Sequence, residues 1–410
     1  MEAYKAYPYR WVILISVMPI LAAVQIFWLT LAPISDIAAS YYHVSSLGIA
    51  FVSMSYMIVY IFVTVPASML VDKRGFRAAF IVGSVIIGIF GLMRGFCYSN
   101  FTLVVIAQLG VAVAQPFLVN AITKLAATWF PVEERATASG IANMAGYLGM
   151  IIAMIATPAL APKAAGIGSM MKIYAVISLA SALVAIVFLR EKPKTPAGPG
   201  GEVLVDYHVK DIAGILKNRN FLVLMGMMFV ALGVFNALMT CVGDFLTPRG
   251  ITADQAGLIG GIIVLVGLVG AVIIPIFSDK LRMRRNVMIV SLAVALPGIA
   301  GLAFLPNYGL LLASAALAGF FIMGVGPVAF QYGAEIAYPL PEGTSYGLLM
   351  VAGQVSGILF IVFLELCQKT LALSVLTALM VACFILSFRL KESKIIIAAD
   401  AVQPPETAKR

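Results

Sequence analysis

Long apolar blocks recur along this chain, and they constrain its fold more than any other feature. Runs of roughly 20 apolar residues, the length that crosses a hydrocarbon core, begin near Trp11, Leu47, Ala78, Phe101, Ala136, Lys172, Phe221, Ala256, Asn286, Tyr308, Tyr346 and Leu371. Twelve such blocks predict an all-α membrane protein with twelve transmembrane helices. Composition agrees: 62% of the 410 residues are hydrophobic and 11% are charged, against roughly 45–50% and 25% in soluble domains. The first block runs on to Leu31 without a cleavage site, so it reads as a span and not as a signal peptide.

The net charge of +9 does not point to nucleic acid, because the basic residues are spread over short loops. With both termini in the cytoplasm, the inner segments hold Lys5 and Arg10; Lys73, Arg74 and Arg77; Arg135; the basic residues of 190–219; Lys280, Arg282, Arg284 and Arg285; and those of the C-terminal tail. The outer side would hold Arg94, Lys163, Lys172, Arg249 and Lys369. That bias orients the chain with cytoplasmic ends, as a multi-pass protein of the plasma (cytoplasmic) membrane. Four scattered cysteines, Cys97, Cys241, Cys367 and Cys383, form no CxxC pair and imply neither a metal site nor a disulfide framework.

The chain is also duplicated. At an offset of 207 residues, Asp72-Lys73 falls on Asp279-Lys280, Gly140 on Gly347, and Ala145-Gly146 on Ala352-Gly353. The same shift puts Trp28 on Phe235 and Tyr147 on Gln354. The expected organisation is a six-helix bundle over 1–190, a cytoplasmic linker over 191–220, a second bundle over 221–392 and a tail over 393–410. Units with an even number of spans lie parallel, and a solute would bind between them near the midplane.

The repeated loop reads PASMLVDKRGFR from Pro66 to Arg77 and PIFSDKLRMRR from Pro275 to Arg285. Its acidic residues, Asp72 and Asp279, can cap a neighbouring helix or pair with a basic side chain, a contact that forms in one rocking state and breaks in the other. Arg74, Arg77, Lys280 and Arg282 supply the basic partners, and Gly75 suits the tight turn. Pro66, Pro116, Pro275 and Pro327 would kink or break helices, or three of them would sit at helix ends.

An Asp, basic, Gly, basic loop after the second span resembles the major facilitator superfamily. Within it the chain is most similar to the feline leukaemia virus subgroup C receptor-related transporters, through PASMLVDKRGFR, ATWFPVEERATA (Ala127–Ala138) and EIAYPLPEGTSYGLLMVAGQVSGILF (Glu335–Phe360). The resemblance implies facilitated transport of choline or related amino alcohols, with haem also associated with the family. It further implies an aromatic cage for a quaternary ammonium, whose first-span position matches Ile26, with Trp28 two residues on, and whose seventh-span position matches Asn236. The family's eleventh-span Gln matches Gln354, and its fifth-span Gln matches Tyr147. The two histidines, His43 and His208, fall in predicted loops, where they cannot ligate a haem at the midplane.

Polar and aromatic residues at depth supply the candidate substrate contacts: Gln25, Trp28, Asn120, Asn143, Tyr147, Phe235, Asn236 and Gln354. Each amide is equally suited to interhelical hydrogen bonding. Asp36 and Asp244, at the outer ends of the first and seventh spans, are expected to gate or to draw cations inward. Glu335 is expected to bridge to Arg282, Arg284 or Arg285, and Glu365 to be a solvated helix terminus. Lys124, near the inner end of the fourth span, can snorkel or meet an anion.

The expected function is a monomeric secondary transporter that moves a small organic cation or zwitterion, such as an amino alcohol, by alternating access. A proton-coupled carrier of an organic anion or amphipathic drug is the alternative, and a non-transporting membrane receptor a second. No enzyme, cofactor or metal is predicted, since a catalytic His, Asp or metal cluster at an interface is missing from the sequence.

Overall fold

The computed structural model describes residues 6–131, 134–195, 197, 215, 217–337 and 342–392, all of whose regular elements are helical. Most of the expected linker, His208 and the whole expected tail lie outside the described residues. The protein is an all-helical membrane protein that divides into two compact units, Met1–Val205 with Leu238–Gly261, and Asp206–Ala237 with Ile262–Arg410.

Two broken helices begin the first unit. α1 (Tyr9–Leu29) gives way to a 3-10 turn (Ala32–Ile34) and then α2 (Ser35–Tyr42). Pro33 has no N–H to offer the Leu29 carbonyl, and the α-helix stops at Leu29. α3 (Ser46–Phe96) follows, its start capped by the Ser45 hydroxyl on the Gly48 N–H at 3.2 Å. After it come α4 (Phe101–Val119), α5 (Ile122–Trp129), α6 (Arg135–Leu160) and α7 (Ile167–Phe188). α1 packs on α6 and α7, and α3 on α4 and α7.

The second half of the chain supplies α8 (Arg219–Thr240), α9 (Val242–Leu246), α10 (Ala253–Leu281), α11 (Arg284–Phe304), α12 (Tyr308–Ala337), α13 (Glu342–Leu366) and α14 (Lys369–Ser387). Within the second unit α11 packs on α12 and α14. The segment from Leu238 to Gly261 belongs to the first unit and joins it through bare glycines. A Cβ at Gly243 would stand 2.8 Å from the Ala32 carbonyl oxygen, and one at Gly257 would strike the Met154 carbonyl.

Eleven helical stretches among the described residues are long and apolar enough to cross a membrane. One of them, α3, has 51 residues, which at 1.5 Å each is about 75 Å, more than twice a ~30 Å core. It is broken at Gly75, where φ is 84° and ψ is 170°, a conformation essentially reserved for glycine. The second and third expected spans are therefore one element with a sharp break. Arg282, the residue 207 positions on, also has a left-handed φ of 52° and separates α10 from α11. The duplicated loop thus keeps a positive φ at this position without keeping its glycine.

All four prolines singled out from sequence lie inside helices, Pro66 in α3, Pro116 in α4, Pro275 in α10 and Pro327 in α12. Of the two alternatives, kinks within helices fit Pro66, Pro275 and Pro327, and Pro116 alone lies in a last turn, that of α4; neighbouring helices can satisfy the freed backbone groups, so a proline need not end the helix. Phe62, Val65, Val187, Leu366 and Ile385 are between 62 and 73% exposed. Apolar surface on this scale is what a lipid-facing wall requires.

Candidate functional site

Gln25 and Trp28 stand one turn apart on α1, the i, i+3 spacing that puts two side chains on one face. Trp28 is 8% exposed, and its Nε1 has no hydrogen-bond partner among the described residues. The Gln25 Oε1 is likewise buried without a partner. One orphaned donor and one orphaned acceptor on the same face are costly in an apolar medium. Such a pair is suited to a ligand that carries both functions.

α6 presses close against this face. A Cβ at Gly149 would collide with the Ala22 carbonyl, and one at Gly146 would lie 3.5 Å from the Gln25 Cγ. Tyr147, next to Gly146, is half-buried. Asn143, one turn earlier, is exposed and donates to the Ser139 carbonyl of its own helix at 2.9 Å.

Asn120 is committed elsewhere. It sits at the break between α4 and α5, and its amide donates to the Thr64 carbonyl at 3.3 Å, the Thr64 hydroxyl at 3.1 Å and the Ser68 hydroxyl at 3.0 Å. In the second unit Asn236 of α8 donates to the Gly353 carbonyl of α13 at 3.5 Å. Gln354, the next residue, and Phe235 are each half-buried.

A buried polar cluster braces the same part of α1. The Arg94 Nη1 donates to the Phe27 carbonyl at 2.9 Å and to the Gln108 Oε1, while its guanidinium lies 5.1 Å from the centre of the Phe27 ring. The Gln108 Nε2 donates to the Phe27 carbonyl at 3.1 Å and to the Val52 carbonyl at 3.0 Å. Ser53 reaches the Trp28 carbonyl at 2.9 Å, and Tyr56 the Val24 carbonyl at 2.8 Å. Arg94, expected among the outer loop residues, is 0% exposed. Its burial corrects that expectation: the last turn of α3 is packed inside the unit, where the guanidinium finds backbone carbonyls.

Both copies of the loop motif lie at the surface. Asp72, Arg74 and Arg77 are exposed, as are Asp279, Lys280 and Arg282. The helix that restarts after Gly75 is capped from elsewhere, with the Arg77 N–H donating to the Glu191 carboxylate at 3.0 Å. Burial pushes the Glu191 carboxyl above its ordinary range, against the opposing pull of the Arg77 N–H and of Lys192, Arg77 and Lys124. Lys124 is half-buried within electrostatic reach of this carboxylate.

The second half repeats the device. The Arg284 N–H donates to Glu392 at 3.1 Å and the Arg285 N–H at 3.2 Å. There the loop Asp also pairs, since the Arg284 side chain holds Asp279, the Ser278 hydroxyl at 3.2 Å and Glu335 at 3.3 Å. Arg10 and Glu134 add a two-pronged ion pair, at 3.1 and 3.3 Å, in the first unit.

Asp36 is exposed in the first turn of α2, whereas Asp244 of α9 is 4% exposed. Glu365, expected as a solvated terminus, has a fully buried carboxylate that pairs with Lys369 at 3.0 Å. The i, i+4 spacing brings Lys369 over it, which corrects the expectation.

Comparison with known proteins agrees with this architecture. The Major Facilitator Superfamily matches residues 13–361. Solute carrier family 49 member A3 of Xenopus tropicalis is 28% identical over 389 residues, which cover 90% of this chain and 80% of that protein. The choline/ethanolamine transporter FLVCR2 of Homo sapiens is 30% identical over 354 residues, covering 81% of this chain and 67% of that protein. Among solved structures, a bacterial homologue of the human lysosomal transporter Spinster, in an inward-facing and unoccupied conformation, superposes with a TM-score of 0.73 at 17% identity. It covers 98% of this chain and 100% of that one. The chain belongs to the major facilitator superfamily, and its relatives include solute carrier family 49 member A3 and the choline/ethanolamine transporter FLVCR2.

Proposed function

We propose that this chain is a twelve-span secondary transporter of the plasma membrane, with both termini cytoplasmic, that carries an amino alcohol or a zwitterion of similar size by alternating access. It acts as a monomer. The orphaned pair on α1 carries the reading. A hydroxyl group offers an acceptor to the Trp28 N–H, and an ammonium or hydroxyl proton meets the Gln25 Oε1. The indole also offers a cation a face worth about 0.5–2 kcal/mol. The names of the human and other vertebrate relatives, choline/ethanolamine transporters, support the same chemistry.

Tyr147, half-buried on α6 beside the Gly146 that faces Gln25, is proposed as a further contact. Asn120 and Asn236 serve as interhelical ties, given the bonds each amide makes. The loop residues around Asp72 and Asp279, together with Glu335, act as the contacts that rearrange during transport.

The test is thermal stabilisation of the purified protein by a panel of amino alcohols, amino acids and carboxylates, since a ligand that binds only the folded state raises its midpoint. Stabilisation by ethanolamine or choline that Trp28→Ala abolishes supports the proposal. A carboxylate that stabilises, with the effect lost in Lys124→Ala and amino alcohols silent, contradicts it.

A further inference from the structure

The last turn of α1 meets three separate demands. Its carbonyls lack helical partners, because the helix stops at Leu29 and Pro33 cannot donate. It lies inside an apolar unit, where an unsatisfied carbonyl is costly. It also carries Gln25 and Trp28. The side chains that answer the first two demands come from α3 and α4. Arg94 and Gln108 converge on a single oxygen, that of Phe27, from two helices at 2.9 and 3.1 Å.

Arg94 is an unusual choice for that task. It is completely buried, and its Nε and Nη2 have no hydrogen-bond partner among the described residues. A buried ionisable group in a membrane span is costly to keep. Its charge is well placed, however, since a cation at a helix C-terminus is favoured by the helix dipole. Gln108 fixes the guanidinium through its Oε1 and ties it to α3 through the Val52 carbonyl at 3.0 Å.

We propose that Arg94 and Gln108 are positioning residues for transport: they lock the break in the first span and so set where Gln25 and Trp28 stand. The assignment rests on the reading of Gln25 and Trp28 as cargo contacts. Neither Arg94 nor Gln108 touches the cargo. Their removal frees the Phe27 carbonyl, lets residues 24–36 fluctuate, and blurs the geometry of the donor and acceptor pair.

Hydrogen exchange on the full-length protein in detergent reads the lock without any ligand, and ethanolamine and choline affinities read its consequence. Arg94→Met and Gln108→Leu are each expected to raise exchange across 24–36 by at least about tenfold, with 9–20 and 142–154 unchanged. Ethanolamine and choline binding weakens by a similar factor, and Arg94→Lys recovers part of both effects by keeping a donor for Phe27. Exchange across 24–36 at the wild-type level in both variants overturns the proposal, as does a uniform rise over α1, α3 and α4, which marks a purely structural role. If Arg94→Met does not fold, Gln108→Leu decides by the same readout. If the wild-type protein binds no amino alcohol, the cargo reading fails, while the exchange data still decide whether Arg94 and Gln108 lock the break.

Discussion

The Glu191 carboxylate accepts the backbone N–H of Arg77 at 3.0 Å, 114 residues away in sequence, and thereby caps the helix that restarts after Gly75. Glu392 caps α11 in the same way through Arg284, at 3.1 Å and 108 residues away. Arg77 and Arg284 are themselves related by the 207-residue repeat. A carboxylate beyond the last span of each half therefore closes onto the start of the same inner helix. It adds the negative charge that a helix N-terminus favours.

Gly75 makes this closure possible twice over. Its φ of 84° suits only glycine, and a Cβ there would collide with the Glu191 carboxylate. Gly75→Ala is expected to cost about 1–3 kcal/mol in backbone strain alone and to displace the cap. The check is the thermal midpoint, which falls, while Gly140→Ala, where a Cβ meets nothing within 4 Å, leaves it nearly unchanged.

The Glu191 carboxyl also makes stability depend on pH. Its pKa is raised in the folded protein, chiefly by burial. The contribution is fully present below the ordinary glutamate pKa and is lost as pH rises through the raised value. The thermal midpoint of the wild type is thus expected to fall relative to Glu191→Gln as the pH climbs from acid through that value. The difference is small because the side chain is partly solvated. A wild-type midpoint that gains on the variant over this window reverses the sign and contradicts the assignment.

Glu335 and Arg284 form the better buried of the loop ion pairs, with side chains 9 and 12% exposed. Breaking a buried pair leaves an uncompensated charge, at about 3–5 kcal/mol. Here Arg284 keeps Asp279 and Ser278, so Glu335→Ala is expected to cost roughly half of that. Glu335→Gln, which retains an acceptor, costs less, and denaturation midpoints of the two variants rank them.

Gly243 and Gly257 let the segment 238–261 approach the backbone at Ala32 and Met154. A leucine at either site cannot be accommodated at that distance. Gly243→Leu and Gly257→Leu are expected to hold this end of the protein open and to slow flux at least about tenfold, as gating substitutions do when closure is lost. Cysteine labelling at residue 35 reports the opening, and wild-type protection in both variants argues against it.

Several of these features were legible from sequence and several were not, for identifiable reasons. The apolar blocks, the 207-residue repeat and the loop around Gly75 follow from composition and local pattern, which hydropathy captures well. Arg94 looked like a loop residue because it stands at the end of an apolar block, and only packing shows that α3 carries it inside. Glu191 and Glu392 escaped notice because their partners lie more than a hundred residues away. Glu365 reads from sequence as a solvated terminus because its burial depends on neighbours that a helix count does not show. Asn120 and Asn236 had two readings, and their partners, Thr64, Ser68 and Gly353, favour the interhelical one.

The central claim is that Trp28 and Gln25 bind the cargo through an N–H donor and a carbonyl acceptor. The most direct test is uptake of radiolabelled ethanolamine and choline into proteoliposomes by the wild type and by Trp28→Phe, which keeps a ring and removes the N–H. The account predicts saturable uptake by the wild type and at least about a tenfold loss of kcat/KM in the variant, the scale of one hydrogen bond left unmade in a buried site. Uptake by Trp28→Phe at the wild-type rate, with saturation unchanged, would contradict it.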